Sequence, residues 1–101
     1  MTRATVADNP GAQRYEILVD GGVAGFAQYR LRPGKIVFTH TEIDAAYEGK
    51  GLGSSLARAA LEAVRERGLA VAPVCPFFAG YIKRHPEYAD LVAADYQDDI
   101  A

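Results

Sequence analysis

One cysteine, Cys75, stands in 101 residues, so the chain can form no internal disulfide and can build no cysteine-rich zinc site. A lone thiol suits a reducing compartment. No stretch approaches the roughly 18 consecutive apolar residues of a membrane-spanning helix, and Met1 to Gln13 lacks the apolar core of a signal peptide. Excess charge is missing too. The formal net charge of −2 gives no general attraction to nucleic acid or to an anionic membrane. These absences lead to the expectation of a soluble, cytoplasmic protein without metal, nucleic acid or membrane as a partner.

What is present is a globular composition, 50% hydrophobic and 24% charged, which is rich enough in apolar residues to bury a core. The expectation is a single domain over residues 1–101, its core at about 13–92, with flexible ends at 1–12 and 95–101. From Gln13 the pattern alternates. Tyr15, Ile17 and Val19 share one face, and Asp20-Gly21-Gly22 reads as a hairpin turn. Val23 to Arg30 continues as a second strand, Leu31-Arg32-Pro33-Gly34 as a turn, and Lys35 to Asp44 as a third strand. Leu52, Leu56, Ala60 and Val64 then recur at helical spacing, and Gly68 stands where a helix would end.

Leu69 to Cys75 is short and apolar and follows that helix, so a strand–helix–strand crossover with parallel pairing is expected. Pro73 is awkward inside a paired strand and marks a bulge or a divergence from the neighbour. Phe77 to Arg84 reads as a short helix stopped by Pro86, Tyr88 to Val92 as a last strand or turn, and Asp95 to Ala101 as a frayed acidic tail. The order β-β-β-α-β-α predicts an α/β fold with a mixed sheet, an antiparallel meander followed by the crossover.

Between the third strand and the long helix lies Tyr47-Glu48-Gly49-Lys50-Gly51-Leu52-Gly53. A helix start leaves backbone N–H groups unpaired and carries the positive end of the dipole, so a glycine loop at that point can receive an anion. The loop is not a P-loop, because Lys50 lies between two glycines. It is also not the GxGxxG dinucleotide fingerprint, and Val71 and Ala72 stand where an acidic residue would be needed. On its own residues, phosphate cradle and plain tight turn both remain open.

The segment Ile43 to Leu56 resembles the acetyl-CoA-binding motif of the GNAT superfamily of N-acetyltransferases, in which Arg or Gln is followed after two residues by Gly-x-Gly/Ala. Gly51 and Gly53 match, and Glu48 replaces the Arg or Gln. Together with His40-Thr41-Glu42-Ile43, Val74-Cys75-Pro76-Phe77 and Tyr81 to Tyr88, the chain is similar to the minimal, single-domain branch of that superfamily over roughly residues 13–92.

The resemblance implies a GNAT-like fold with splayed parallel strands and acetyl-CoA (CoA) as co-substrate. It implies cofactor contacts from Ile43, Asp44, Glu48, Gly49, Lys50, Gly51, Leu52, Gly53 and Ser54, with Lys83 and Arg84 as partners for CoA phosphates. The function it implies is acetyl transfer to a primary amine, a small molecule or a protein lysine, by a monomer or weak dimer. A non-catalytic CoA-binding module is the alternative.

Acetyl transfer needs a base for the amine, donors for the thioester oxygen and an acid for the leaving thiolate. His40 and Glu42, two apart on a strand, project to one face and are candidates for the base. Cys75, at a strand end and a helix start, is a candidate nucleophile that His40 would activate, or else a small buried apolar residue. Tyr81 is the residue nearest to the superfamily's tyrosine acid.

Overall fold

The computed structural model describes residues 4–101. Five strands form one sheet in the order β1-β2-β3-β4-β5: Ala4–Asn9, Arg14–Val19, Gly22–Arg32, Lys35–Ile43 and Ala70–Pro73. The first four are antiparallel, and β5 joins β4 in parallel after the crossover helix α1, Leu52–Glu66. A second helix, α2 (Pro76–Arg84), follows at once. Among the described residues no helix is long and apolar enough to cross a membrane, and no group of three or more His, Cys, Asp or Glu is placed to hold a metal ion.

Local chemistry explains the meander. Asp20 and Gly21 both take positive φ, 51° and 84°, and two such residues make the tight turn whose twist matches a hairpin. Pro33 and Gly34, the latter at φ 70°, close the next hairpin, where proline presets one turn position and glycine supplies the other.

The strand pattern puts Tyr15, Ile17, Ala27, Tyr29, Ile36 and Phe38 into a core shared with Leu56, Ala60, Leu61 and Val64 of α1. Phe78 of α2 completes it, stacked on Phe38 with ring centroids 4.1 Å apart. Both helices therefore cover the same face of the sheet. The opposite face carries Arg14, Glu16, Phe26, Gln28, His40 and Glu42, which are matched across strands as Arg14 with Gln28, Glu16 with Phe26, Phe26 with Glu42 and Gln28 with His40.

Both chain ends differ from expectation. Residues 1–3 of the expected flexible N-terminus lie outside the described residues, but Ala4–Asn9 is a full edge strand paired to β2. Its small and polar residues, with Val6 as the one large apolar side chain, hid it from the alternation test. It is held because Val6 packs against the core and the Tyr29 hydroxyl donates to Asp8 Oδ1 at 2.7 Å.

At the other end, the segment expected as a last strand or turn is the 3-10 helix Pro86–Leu91, and a second 3-10 helix, Ala94–Ile100, stands where a frayed tail was expected. Tyr96 and Ile100 pack against the core, the Gln97 side chain donates to the carbonyl oxygens of Ala89 and Val92, and Lys35 lies 5.9 Å from the centre of the Tyr96 ring. Of the two readings the turn holds, and strand pairing here is limited, among the described residues, to one parallel bridge, Val71 with Val92.

Candidate functional site

The β4–β5 ladder runs from Lys35/Ala70 to Phe38/Pro73 and then stops. Beyond it the Cys75 amide donates to the Phe38 carbonyl at 2.8 Å, and the chain turns into α2 with Cys75 as its N-cap. Among the described residues, strand β4 continues to Ile43 with no strand partner on that side. Proline ends the ladder because it has no N–H to donate. The result is a V-shaped opening that exposes the edge of β4 from Thr39 onward.

At the wide end of this opening, a cleft of about 240 Å³ is lined by Ile43, Tyr47, Glu48, Gly49, Gly51, Leu52, Gly53, Ser54 and Phe77. Gly49 and Gly51 have φ of 80° and 73°, and no side chain occupies the space a Cβ would take at either. Gly51 is the N-cap of α1 and offers no side-chain cap. The first intrahelical bond comes from the Ser55 amide to the Gly51 carbonyl, so the amides of Leu52, Gly53 and Ser54 have no intrahelical acceptor.

Gly53 serves a different purpose. A Cβ there would lie 2.8 Å from Phe77 Cζ, the tip of a part-exposed ring, so its absence lets that ring lie against the start of α1. Asp44 does not line the cleft. Its Oδ1 accepts from the Ala46 amide at 2.9 Å and caps a 3-10 turn, Ala45–Tyr47. Lys50 is exposed outside the cleft. Lys83 and Arg84 lie in the last turn of α2, about 10 Å along the axis from Phe77.

Cys75 is 4% exposed, and its Sγ lies 3.3 Å from Thr41 Oγ1. The two residues are 34 positions apart and face each other across the opening. His40 and Glu42 are paired with each other, Nε2 to Oε2 at 3.7 Å, with side chains 55% and 62% exposed.

The sheet face they occupy is decided by a β-bulge. Tyr29 pairs with Phe38 but Gln28 pairs with His40, so Thr39 is an extra residue in β4, its hydroxyl donating to the Gln28 carbonyl. Without the bulge, His40 and Glu42 would follow Ile36 and Phe38 into the core. With it, they turn to the helix-free face and Thr41 turns to Cys75. The expectation that His40 activates Cys75 is not supported by this geometry: His40 points to the helix-free face, whereas Cys75, before α2, meets Thr41 on the helix-covered face.

Tyr81 is 3% exposed and stacks on His85 at 4.2 Å. Burial raises its pKa, partly offset by the charge of Arg58 on α1, which keeps the phenol protonated. It is not among the residues lining the cleft.

The residue-type reading did not single out Thr41 or Phe77. Both lie in quoted motifs, and the alternation of a strand already separates Thr41 from His40 and Glu42. A second groove, on the helix-free face, was not singled out as a unit, although Glu42, Ile43 and Asp44 line it. Its residues, including Arg14, Val23, Gly25, Phe26 and Glu42, come from three strands, and it holds about 420 Å³ on the far side of Ile43, which lines both depressions.

A family profile described as GCN5-related N-acetyl-transferase matches residues 14–91. Protein NATD1 of Gallus gallus and of Mus musculus are each 40% identical over 47 residues, covering 46% of this chain and 43% of theirs. Protein NATD1 of Homo sapiens is 40% identical over the same length, 42% of its own chain. The chain thus matches less than half the length of these curated relatives. The mixed five-stranded sheet with its two helices agrees with the family's fold, and with most of the sequence inside the matched region the chain belongs to the GCN5-related N-acetyltransferase family.

Proposed function

We propose that the protein is an acetyl-CoA-dependent N-acetyltransferase acting on a primary amine. The observation that carries this reading is the cleft between the glycine loop and Phe77, opening where β4 and β5 part beside a thiol. The three acceptor-less amides of α1 suit the pyrophosphate, since they combine donors with the positive end of the helix dipole. The bare edge of β4 suits the pantetheine amides, which would satisfy backbone groups as an added strand does. Glu48, in the cleft wall, opposes this charge pattern and lowers affinity without removing the amide donors.

The thioester would then lie near Thr41 and Cys75. In direct transfer, the amine nitrogen bonds to the acetyl carbon, the carbon–sulfur bond of acetyl-CoA breaks, and the CoA thiolate takes up a proton. In the covalent route, Cys75 sulfur forms that bond first, CoA leaves with the thiol proton, and the amine then displaces Cys75. The contact with Thr41 orients the Cys75 thiol for the covalent route.

Thermal melting with CoA and intact-mass spectrometry after incubation with acetyl-CoA test this. CoA at 100 times its Kd should add about 2.7 kcal/mol, and acetyl should appear on a primary amine from a panel. Absence of both stabilisation and transfer would overturn the reading. An acetyl adduct lost in Cys75→Ser would identify the covalent route.

A further inference from the structure

We infer that the cavity between β1 and the flank of α1 is a binding site for a free α-amino acid with an aliphatic side chain. It holds about 490 Å³, against about 240 Å³ for the cleft of the glycine loop, and falls in the roughly 300–1,000 Å³ range of small-molecule sites. Val6 of β1 and Ala59 and Ala63 of α1 make its apolar part. Because the helix presents only methyl groups there, the space between strand and helix stays unfilled.

The polar end is built around Tyr15. This residue is 3% exposed, and its hydroxyl oxygen accepts a long bond, 3.4 Å, from Arg67 Nη1. The O–H proton has no acceptor among the described residues, although a hydroxyl can donate as well as accept. Arg67 is short of partners too. Asp8 Oδ2 stands 3.9 Å away, beyond hydrogen-bond reach, and the guanidinium makes no other side-chain hydrogen bond among the described residues. A phenol proton and a guanidinium fork lining one cavity fit a carboxylate.

Charge decides what carries that carboxylate. Asp8 and Glu66 line the same cavity, and a simple anion would be repelled by both. Asp8 Oδ1 is taken by the Tyr29 hydroxyl, but Oδ2 has only the distant Arg67, and Glu66 has no ion pair among the described residues. Two open carboxylates beside a carboxylate subsite call for a cation on the same ligand. An α-ammonium supplies it, and the alanine-lined part takes the aliphatic side chain.

The site is separate from acetyl transfer. Asp8, Tyr15, Ala27 and Thr41 pair in one row across the sheet, so Asp8 lies three strand spacings, about 14 Å, from the Thr41 that meets Cys75. Leu56 and Ala60 of α1 belong to the core between them. An amino acid bound here is therefore not the acceptor, and the inference stands apart from the proposed function.

Amide NMR titration of the full chain with L-leucine tests this, with 4-methylpentanoate and 3-methylbutylamine as the analogues lacking the ammonium and the carboxylate. Leucine should shift Val6 to Asp8, Tyr15 and Ala59 to Arg67, and bind about three- to fivefold more tightly than either analogue, the size of one exposed charge pair. Arg67→Gln should weaken binding about tenfold, as loss of a charge-assisted hydrogen bond does, and Tyr15→Phe, which keeps the packing, about threefold. Ala63→Leu, which fills the cavity and leaves every polar group in place, should abolish binding. No shift at about 10 mM leucine, ten times the Kd of a millimolar site, would overturn the assignment. So would equal binding of either analogue, shifts confined to other surfaces, or full affinity in Ala63→Leu. Shifts of the same amides on diluting the protein without leucine would mean that a second copy fills the cavity, and would overturn it as well.

Discussion

Replacing Gly25 by alanine should cost about 3 kcal/mol and disturb both depressions at once. A Cβ at Gly25 would lie 2.5 Å from Ile43 Cδ1, 2.6 Å from the Glu42 carbonyl oxygen and 3.1 Å from Ile43 Cα. The first of these can move by a change of rotamer. The other two are backbone, so β4 must shift away from β3 by several tenths of an ångström. Overpacking of this kind costs about 1–3 kcal/mol, and weakening a neighbouring ladder hydrogen bond adds about 1 kcal/mol.

Near 100 residues, about 3 kcal/mol lowers Tm by roughly 10–20 °C, and urea unfolding should show the same loss with an unchanged m-value. Gly53→Ala is the internal control. Its short contact, 2.8 Å, is to the tip of the Phe77 ring, which is 37% exposed and free to swing. Its stability should change by less than about 1 kcal/mol, because relief of the contact and the better helix propensity of alanine oppose each other. A Gly25→Ala protein within about 1 kcal/mol of wild type would refute the close approach of β3 to β4 and the wall they share.

Other substitutions read the site and the chain ends. Glu48→Gln should tighten CoA binding by up to about fivefold at low salt, since removing an exposed like charge is worth about 1 kcal/mol or less; calorimetry at two ionic strengths checks this, and the gain should shrink as salt rises. His40→Ala should leave any acetyl adduct on Cys75 unchanged by intact mass, because the bulge at Thr39 turns the imidazole away from the thiol. Tyr29→Phe should cost about 1.5–3 kcal/mol in urea unfolding by removing the hydrogen bond to the Asp8 carboxylate, which fastens β1 to the core. Stability should be steady above about pH 5 and decline in acid, since the hydrogen bond from Arg14, helped by Asn9, holds the Glu16 carboxyl below its ordinary value of 4.5. A lowered folded-state pKa stabilises above the unfolded value and is lost as pH falls through the folded one; Glu16→Gln should flatten that decline in acid-scanned melts.

Most of the element order was legible because it is written in local chemistry. Alternation gave β2 to β4, positive-φ residues gave the first hairpin, and the spacing Leu52, Leu56, Ala60 and Val64 gave α1. Pro73 marked the place where the parallel ladder ends. Strand β1 was not legible. Asp8 and Asn9 disfavour a strand, Thr5 and Val6 are too few to mark one, and the strand exists because β2 offers a paired edge and Tyr29 a hydrogen bond. The C-terminal 3-10 helix was hidden for the same reason, since Tyr96 and Ile100 have a surface to pack on only after the sheet has formed.

Within the candidate site, the sequence by itself determined the glycine loop, its position at the start of α1, and the residue types Cys75, His40 and Glu42. Tertiary structure alone decided which of them meet. One extra residue at Thr39 inverts the facing of everything after it in β4, and this brings Thr41 to Cys75 while His40 and Glu42 go to the opposite face. A period of two carries no information about a bulge, because the bulge is set by pairing with a second strand. The same applies to Gly53 and Gly25. In the sequence each is one glycine among ten, and only the fold brings Phe77 against one and the Glu42 carbonyl against the other.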